Sequence, residues 1–169
     1  MRRGFTLPAL ADAYAVFANC GKYAASATIA RVEDDRGRTL YAHSPVQDRV
    51  FSEDTAAIMN DMLQSAVTEG TAKKLRTLPF PVCAKTGTAE GDKGNTDAYC
   101  ISYTRDHTVA VWMGNRDYTP IQATGGGPPA NAALRINKFL YRSTSPSAFA
   151  ESDDVVKLRF DKTVYDEQH

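Results

Sequence analysis

Apolar positions along the chain fall into helical and extended rhythms. Leu10, Ala11, Tyr14, Ala15, Phe17 and Ala18 share one face of a helix. Thr6 is placed to cap that helix, Pro8 sits in its first turn, and Asn19-Cys20-Gly21 stops it. Two extended runs, Ala27–Val32 and Thr39–Ala42, flank Asp34-Asp35-Arg36-Gly37 and predict a hairpin. Ser52 predicts a second helix start, with Glu53 and Asp54 suited to the positive end of its dipole. Met59, Met62, Leu63 and Ala66 form the apolar stripe of this helix, which runs to about Val67 and ends at Gly70. Thr71 to Leu75 reads as one further short turn.

From Pro81 the pattern turns to strands at Val82–Thr88, Ala98–Tyr103 and Thr108–Gly114. Arg105-Asp106 makes the last two antiparallel neighbours, whereas Gly91-Asp92-Lys93-Gly94-Asn95 reads as a polar loop between the first two. Gly125-Gly126-Gly127-Pro128-Pro129 leads into a helix from about Ala130 to Tyr141, with Leu134, Ile136, Phe139 and Leu140 as its apolar content. The Ser-, Pro- and Asp-rich stretch Ser143–Asp154 reads as linker, and Val155–Phe160 as a short edge strand. The expected fold class is α+β, an antiparallel sheet with flanking helices.

Composition narrows the chemistry. The 169 residues carry 20 Lys+Arg and 20 Asp+Glu, a formal charge of zero, so the surplus of basic residues that phosphate binding requires is missing and no nucleic-acid partner is expected. Hydrophobic residues at 43% fit a folded chain. No apolar run reaches the roughly 18 residues of a membrane span, and Met1-Arg2-Arg3-Gly4 lacks the apolar core of a signal peptide. Cys20, Cys83 and Cys100 are too few and scattered for a disulfide framework or a zinc site, and Cys83 and Cys100, on strands that could be adjacent, read as small buried residues. His43, His107 and His169 show no metal-ligand spacing, and Asp34–Gly37 lacks the alternating carboxylates of a calcium loop, so no metal or other cofactor is expected. Trp112 and the tyrosines fall in strand or helix patterns and read as core.

The candidate chemistry lies at Lys85-Thr86-Gly87-Thr88. Side chains alternate along a strand, which puts Lys85 and Gly87 on one face and Thr86 and Thr88 on the other. A lysine at a strand end beside a cleft offers fixed positive charge to a carboxylate. Glycine leaves room for a substrate lying along the strand, and the N–H groups of an edge strand can donate to a developing oxyanion. Taken alone, Lys-Thr-Gly is also what a solvated strand end before a turn looks like.

The surrounding residues add a resemblance. Val82-Cys83-Ala84-Lys85-Thr86-Gly87-Thr88-Ala89-Glu90 is similar to the third signature of penicillin-binding transpeptidases, the family marked by Ser-x-x-Lys, Ser-x-Asn and Lys-Thr-Gly. Asp97-Ala98-Tyr99 with Ser102-Tyr103, and Val109–Asn115, resemble the two strands that follow in that family. Leu7–Gly21, Ser52–Ala56 with Gly70-Thr71-Ala72, and Gly125–Pro129 resemble further segments in the same order, so the likeness covers about residues 4 to 141. It implies a partial β-lactamase/transpeptidase-like fold. It also implies that Lys85 holds charge in the cleft as the catalytic-motif lysine, that Thr86, Gly87 and Thr88 form the substrate-binding edge, and that the Thr88 N–H faces the oxyanion.

The departures matter equally. No Ser-x-x-Lys and no Ser-x-Asn occurs in the chain; Thr71-Ala72-Lys73-Lys74 is the nearest form, at a position matching another part of the family. Residues 1–142 therefore read as the C-terminal portion of a peptidoglycan D,D-transpeptidase domain without its nucleophile half, and residues 143–169 as linker and tail. The partners implied are the stem peptide or a β-lactam in the complete domain, the absent N-terminal half, and a second copy of the chain. The location implied for the complete family is extracytoplasmic, although no signal or anchor is visible here. Two other readings stay open: a non-catalytic binding or scaffolding module derived from this fold, and a β-lactamase or β-lactam sensor.

Overall fold

A computed structural model describes residues 5–158. Helix α1 (Leu7–Ala18) starts where Thr6 Oγ1 accepts from the Ala9 N–H at 3.3 Å, which satisfies one of the N–H groups a helix start leaves open. It ends in a left-handed pair, Cys20 at φ 52° and Gly21 at φ 81°. Gly21 is required twice over, since a Cβ there would also lie 2.2 Å from the Phe51 carbonyl oxygen. The chain then forms β1 (Lys22–Tyr23), β2 (Arg31–Glu33), β3 (Thr39–Ala42) and β4 (Asp48–Arg49). Strands β1 and β4 pair with each other, as do β2 and β3, each pair a separate two-stranded ribbon. The expected hairpin is therefore present, but its first strand begins at Arg31 and not at Ala27. Upstream, Ser26 is held instead by Asp12, through its N–H and its hydroxyl.

Helix α2 (Glu53–Thr68) is capped by Ser52, whose hydroxyl accepts from the Thr55 N–H. Its buried residues are Ala56, Asn60, Leu63 and Val67. Met62, expected in the apolar stripe, is 60% exposed, because the buried face is rotated toward Ala56 and Asn60. A 3-10 turn at Lys73–Thr77 buries Leu75 completely.

The main sheet is β5 (Cys83–Gly91), β6 (Gly94–Tyr103) and β7 (Thr108–Gly114), antiparallel in the order β5-β6-β7. The expected loop at 91–95 is a hairpin: pairing runs through Gly91↔Gly94, leaving only Asp92-Lys93 as the turn. Helix α3 (Pro128–Leu140) follows the glycine run.

Two clusters sandwich the sheet. On one face Ala84, Cys100 and Val109 pack with Leu75, Leu78, Ala130 and Ala133, joining α3 and the 3-10 turn to the strands. On the other face Cys83 and Tyr103 pack with Ala18 of α1 and Leu63 of α2. The described residues beyond α3, 141–158, form no helix or strand, yet they dock. The Ser147 N–H donates to Asp106 Oδ2 at 2.7 Å, the Phe149 ring meets Tyr103 edge-on at 6.0 Å, and the Ser152 hydroxyl donates to Asp54 Oδ1. Lys157 pairs with Asp61 at 2.8 Å. The edge strand expected at Val155–Phe160 is not formed over 155–158, and its last two positions lie outside the described residues.

Candidate functional site

Strand β5 has a single partner, β6, among the described residues, so one side of its backbone is open. The register puts Lys85 opposite Ile101 and Gly87 opposite Tyr99, and Tyr99 in turn opposite Trp112 of β7. These residues occupy one sheet face. Thr86 pairs with Cys100 and Thr88 with Ala98, on the other face. Cys83 and Cys100 consequently point to opposite sides of the sheet and do not pair. Burial pushes the Cys83 thiol up to about 12 and the Cys100 thiol up to about 11, so neither offers a thiolate at neutral pH.

On the Lys85 face lies an open groove of about 1630 Å³, walled by Gly87, Tyr99, Ile101 and Trp112 from the sheet and by Leu10 and Tyr14 from α1. Trp112 is 42% exposed in this groove and is not a core residue, because α1 covers only part of the sheet. Its indole is oriented by the Nε1–H bond to Asp97 Oδ1 at 2.8 Å, and Asp97 is steadied by the Thr96 hydroxyl at 2.9 Å. Partial burial, with the Asp97 charge adding to it, keeps the Tyr99 phenol protonated beyond its usual range.

Lys85 is exposed, and its Nζ donates to the Thr86 carbonyl at 2.8 Å. In an antiparallel ladder alternate residues turn both backbone groups toward the partner strand and the others turn both away. The ammonium reaches the Thr86 carbonyl around the free edge, which places Thr86 in the outward set. Thr88, two residues on, belongs to the same set, so its N–H faces the open side.

Behind this edge two loops hold the hydroxyls. Thr86 Oγ1 lies 2.5 Å from Thr71 Oγ1, and Thr88 Oγ1 accepts from the Gly125 N–H at 3.1 Å. Gly125 sits so close that a Cβ would come within 2.3 Å of the Tyr99 carbonyl oxygen and 2.5 Å of the Gly87 carbonyl oxygen. The four residues singled out in the sequence thus lie together on one strand edge, split between two faces. Sequence reasoning did not find Tyr99 and Trp112 as groove walls, although the alternation that pairs them with Gly87 is visible once the register is known. Nor did it find Thr71 as the neighbour of Thr86. Among the described residues no group of three His, Cys, Asp or Glu side chains is placed to hold a metal ion. No described helix is long and apolar enough to cross a membrane.

Three antiparallel strands flanked by helices, with Lys-Thr-Gly on an open edge, define a class of domain, and comparison with known proteins agrees. Residues 5–138 match the penicillin binding protein transpeptidase domain, and the chain belongs to that family. It is 37% identical over 117 residues to penicillin-binding protein 1F of Bacillus subtilis, covering 68% of this chain and 16% of that protein. It is 32% identical over 108 residues to penicillin-binding protein 2a of Streptococcus pneumoniae, covering 62% of this chain and 15% of that protein. The fold is similar to the structure of penicillin-binding protein PonA1 from Mycobacterium tuberculosis, with a TM-score of 0.76 at 23% identity, over 87% of this chain and 41% of that one. PonA1 has also been solved in complex with penicillin V, and that structure matches with a TM-score of 0.72. The chain thus spans only about 15% of the length of the pneumococcal relative.

Proposed function

We propose that this chain forms one wall of a peptidoglycan D,D-transpeptidase cleft and carries no acylating nucleophile of its own. The observation that supports this reading most is the placement of Lys85 at the free edge of β5, exposed beside a groove, with Thr86 and Thr88 in the outward backbone set. In this role Lys85 provides fixed charge for the terminal carboxylate of a stem peptide or the carboxylate of a β-lactam. A charge at a half-desolvated edge acts more strongly than one in bulk water. Gly87 leaves the strand bare for the ligand backbone, the Thr86 and Thr88 hydroxyls donate to the carboxylate, and the Thr88 N–H stabilises the oxyanion. Acyl transfer also needs an activated hydroxyl, and no serine here is followed at the third position by lysine. The nucleophile half of the domain is the partner this reading requires, and the complete assembly works on the outer side of the cytoplasmic membrane.

Titration of the chain with acetyl-D-Ala-D-Ala, followed by amide NMR, tests the reading. Shifts are expected along residues 85–88, weakened in Lys85→Ala. Shifts elsewhere, with β5 silent, would overturn it.

A second reading is a binding or scaffolding module that keeps the cleft edge without chemistry. A reading frame encoding Ser-x-x-Lys immediately upstream in the genome supports the transpeptidase; a frame without one supports the module.

A further inference from the structure

We propose that Thr71 is a positioning residue for the cleft edge: its hydroxyl donates to Thr86 Oγ1 and thereby leaves the single Thr86 hydroxyl hydrogen free for a ligand carboxylate. The inference rests on the reading of β5 just given and adds to it a residue from outside the strand.

A threonine hydroxyl carries one hydrogen and two lone pairs, so in the 2.5 Å Thr71–Thr86 contact only one of the two donates. If Thr86 donated to Thr71, it would turn an oxygen lone pair toward an arriving anion. If Thr71 donates, Thr86 presents its hydrogen, and the second bond of such a chain is strengthened by the first. An anion at the edge selects the second arrangement. Among the described residues the Thr71 hydroxyl bonds to Thr86 alone, so no other protein group competes for its hydrogen.

The backbone around Thr71 is held on both sides although its side chain is at the surface. Gly70 closes the end of α2 by donating to the Ser65 carbonyl, and the Ala72 N–H donates to the Ala66 carbonyl at 3.1 Å. Ala72 is fully buried. On the far side Gly126 packs onto the Thr71 carbonyl oxygen, where a Cβ would approach to 2.6 Å. The next residue toward the N-terminus, Gly125, is the one that donates to Thr88. Two hydroxyls on one strand face are thus each met by a donor from a different loop, and Thr71 supplies the one that lies nearer Lys85.

The test compares acetyl-D-Ala-D-Ala with the same peptide amidated at its C-terminus, by NMR titration of the intact chain. The wild type is expected to prefer the free carboxylate. Thr71→Val, which keeps the shape and removes the hydroxyl, is expected to reduce that preference about fivefold, the scale of one net hydrogen bond, while binding of the amidated peptide stays unchanged. Thr71→Ser is expected to stay within about twofold of wild type, because it restores the donor. Thr71→Ala should match Thr71→Val, and it guards against a fault particular to valine. If the wild type prefers the carboxylate and both hydroxyl-free variants keep that preference, the Thr71 role is overturned while the β5 reading stands. Equal weakening of both peptides would mean a merely structural residue and would also overturn it. A wild type that shows no preference overturns the β5 reading and this inference together.

Discussion

The Tyr103 hydroxyl donates to Asn60 Oδ1 at 2.8 Å, in a part of the molecule where Tyr103 is fully buried and Asn60 nearly so. This bond ties the middle of α2 to the end of β6. Asn60 continues the link, because its Nδ2 donates to the Phe17 carbonyl in the last turn of α1 and its own carbonyl accepts from the Cys83 thiol. Replacing Tyr103 by Phe leaves Asn60 Oδ1 buried without its partner. The expected loss is about 1–3 kcal/mol, read by chemical denaturation. A Tyr103→Phe protein as stable as wild type would show that the Asn60 amide finds water or another donor.

Gly125→Ala should be as costly for a different reason. The added methyl would press on the carbonyl oxygens of Tyr99 and Gly87, which are backbone atoms in paired strands and cannot swing aside. A destabilisation of about 1–3 kcal/mol is expected, accompanied by a changed Thr88 amide environment in NMR spectra. An unshifted Thr88 resonance would mean that the glycine run does not bear on the strand edge.

The buried thiols set an alkaline limit. Burial raises the Cys83 thiol from its ordinary 9.0 to about 12, and Tyr103 is raised strongly by the same cause. A group held neutral in the fold but free to ionise when unfolded contributes stability that is full below the unfolded value and is lost as pH rises toward the folded one. Stability measured by urea unfolding should therefore decline between about pH 9 and pH 12. At neutral pH a thiol reagent should modify Cys20 first, with Cys83 and Cys100 protected until unfolding; rapid modification of all three would contradict the burial.

Incubation with benzylpenicillin should leave the mass of the chain unchanged. Cleft charge and oxyanion donors accelerate attack only when a nucleophile is present to attack. A stoichiometric adduct mapped to any serine of this chain would refute the assignment of the nucleophile to another part of the domain.

Self-association is the last expectation. Strands β5 and β7 each have one pairing partner among the described residues, and Trp112 and Met113 are substantially exposed on β7. Open edges pair with available edges, and exposed apolar patches rarely stay bare. Light scattering at low micromolar concentration is expected to show species larger than 18.5 kDa. A clean monomer with a cooperative melt would mean that the sheet tolerates both edges in water.

Caps and stops made the helices legible. Thr6, Ser52 and the Gly-Pro run carry start signals in their own side chains or ring geometry, and the three helices lie within about two residues of where those signals put them. Strand β7 is legible because its apolar run ends in turn residues on both sides. The tip of the β5–β6 hairpin was hidden, since Glu90 to Asn95 extend past the packed core, where neither face is selected for apolar residues. Met62 was misplaced because a single apolar residue says nothing of the helix rotation, which Asn60 fixes through a polar bond that no hydrophobic pattern registers. At the site, the alternation of Lys85, Thr86, Gly87 and Thr88 followed from strand geometry alone. The Thr71–Thr86 contact did not, since it depends on how α2 ends and on how the glycine loop folds over it.

The stretch after α3 changes how the molecule should be divided. The match to the family model covers residues 5–138, but beyond it Phe149, Ser152 and Lys157 lie against Tyr103, Asp54 and Asp61. The end of that match and the end of the packed unit therefore fall at different places in the chain. An expression clone cut at residue 138 would strip a ring from the side of Tyr103 and wet the seam between α1 and α2.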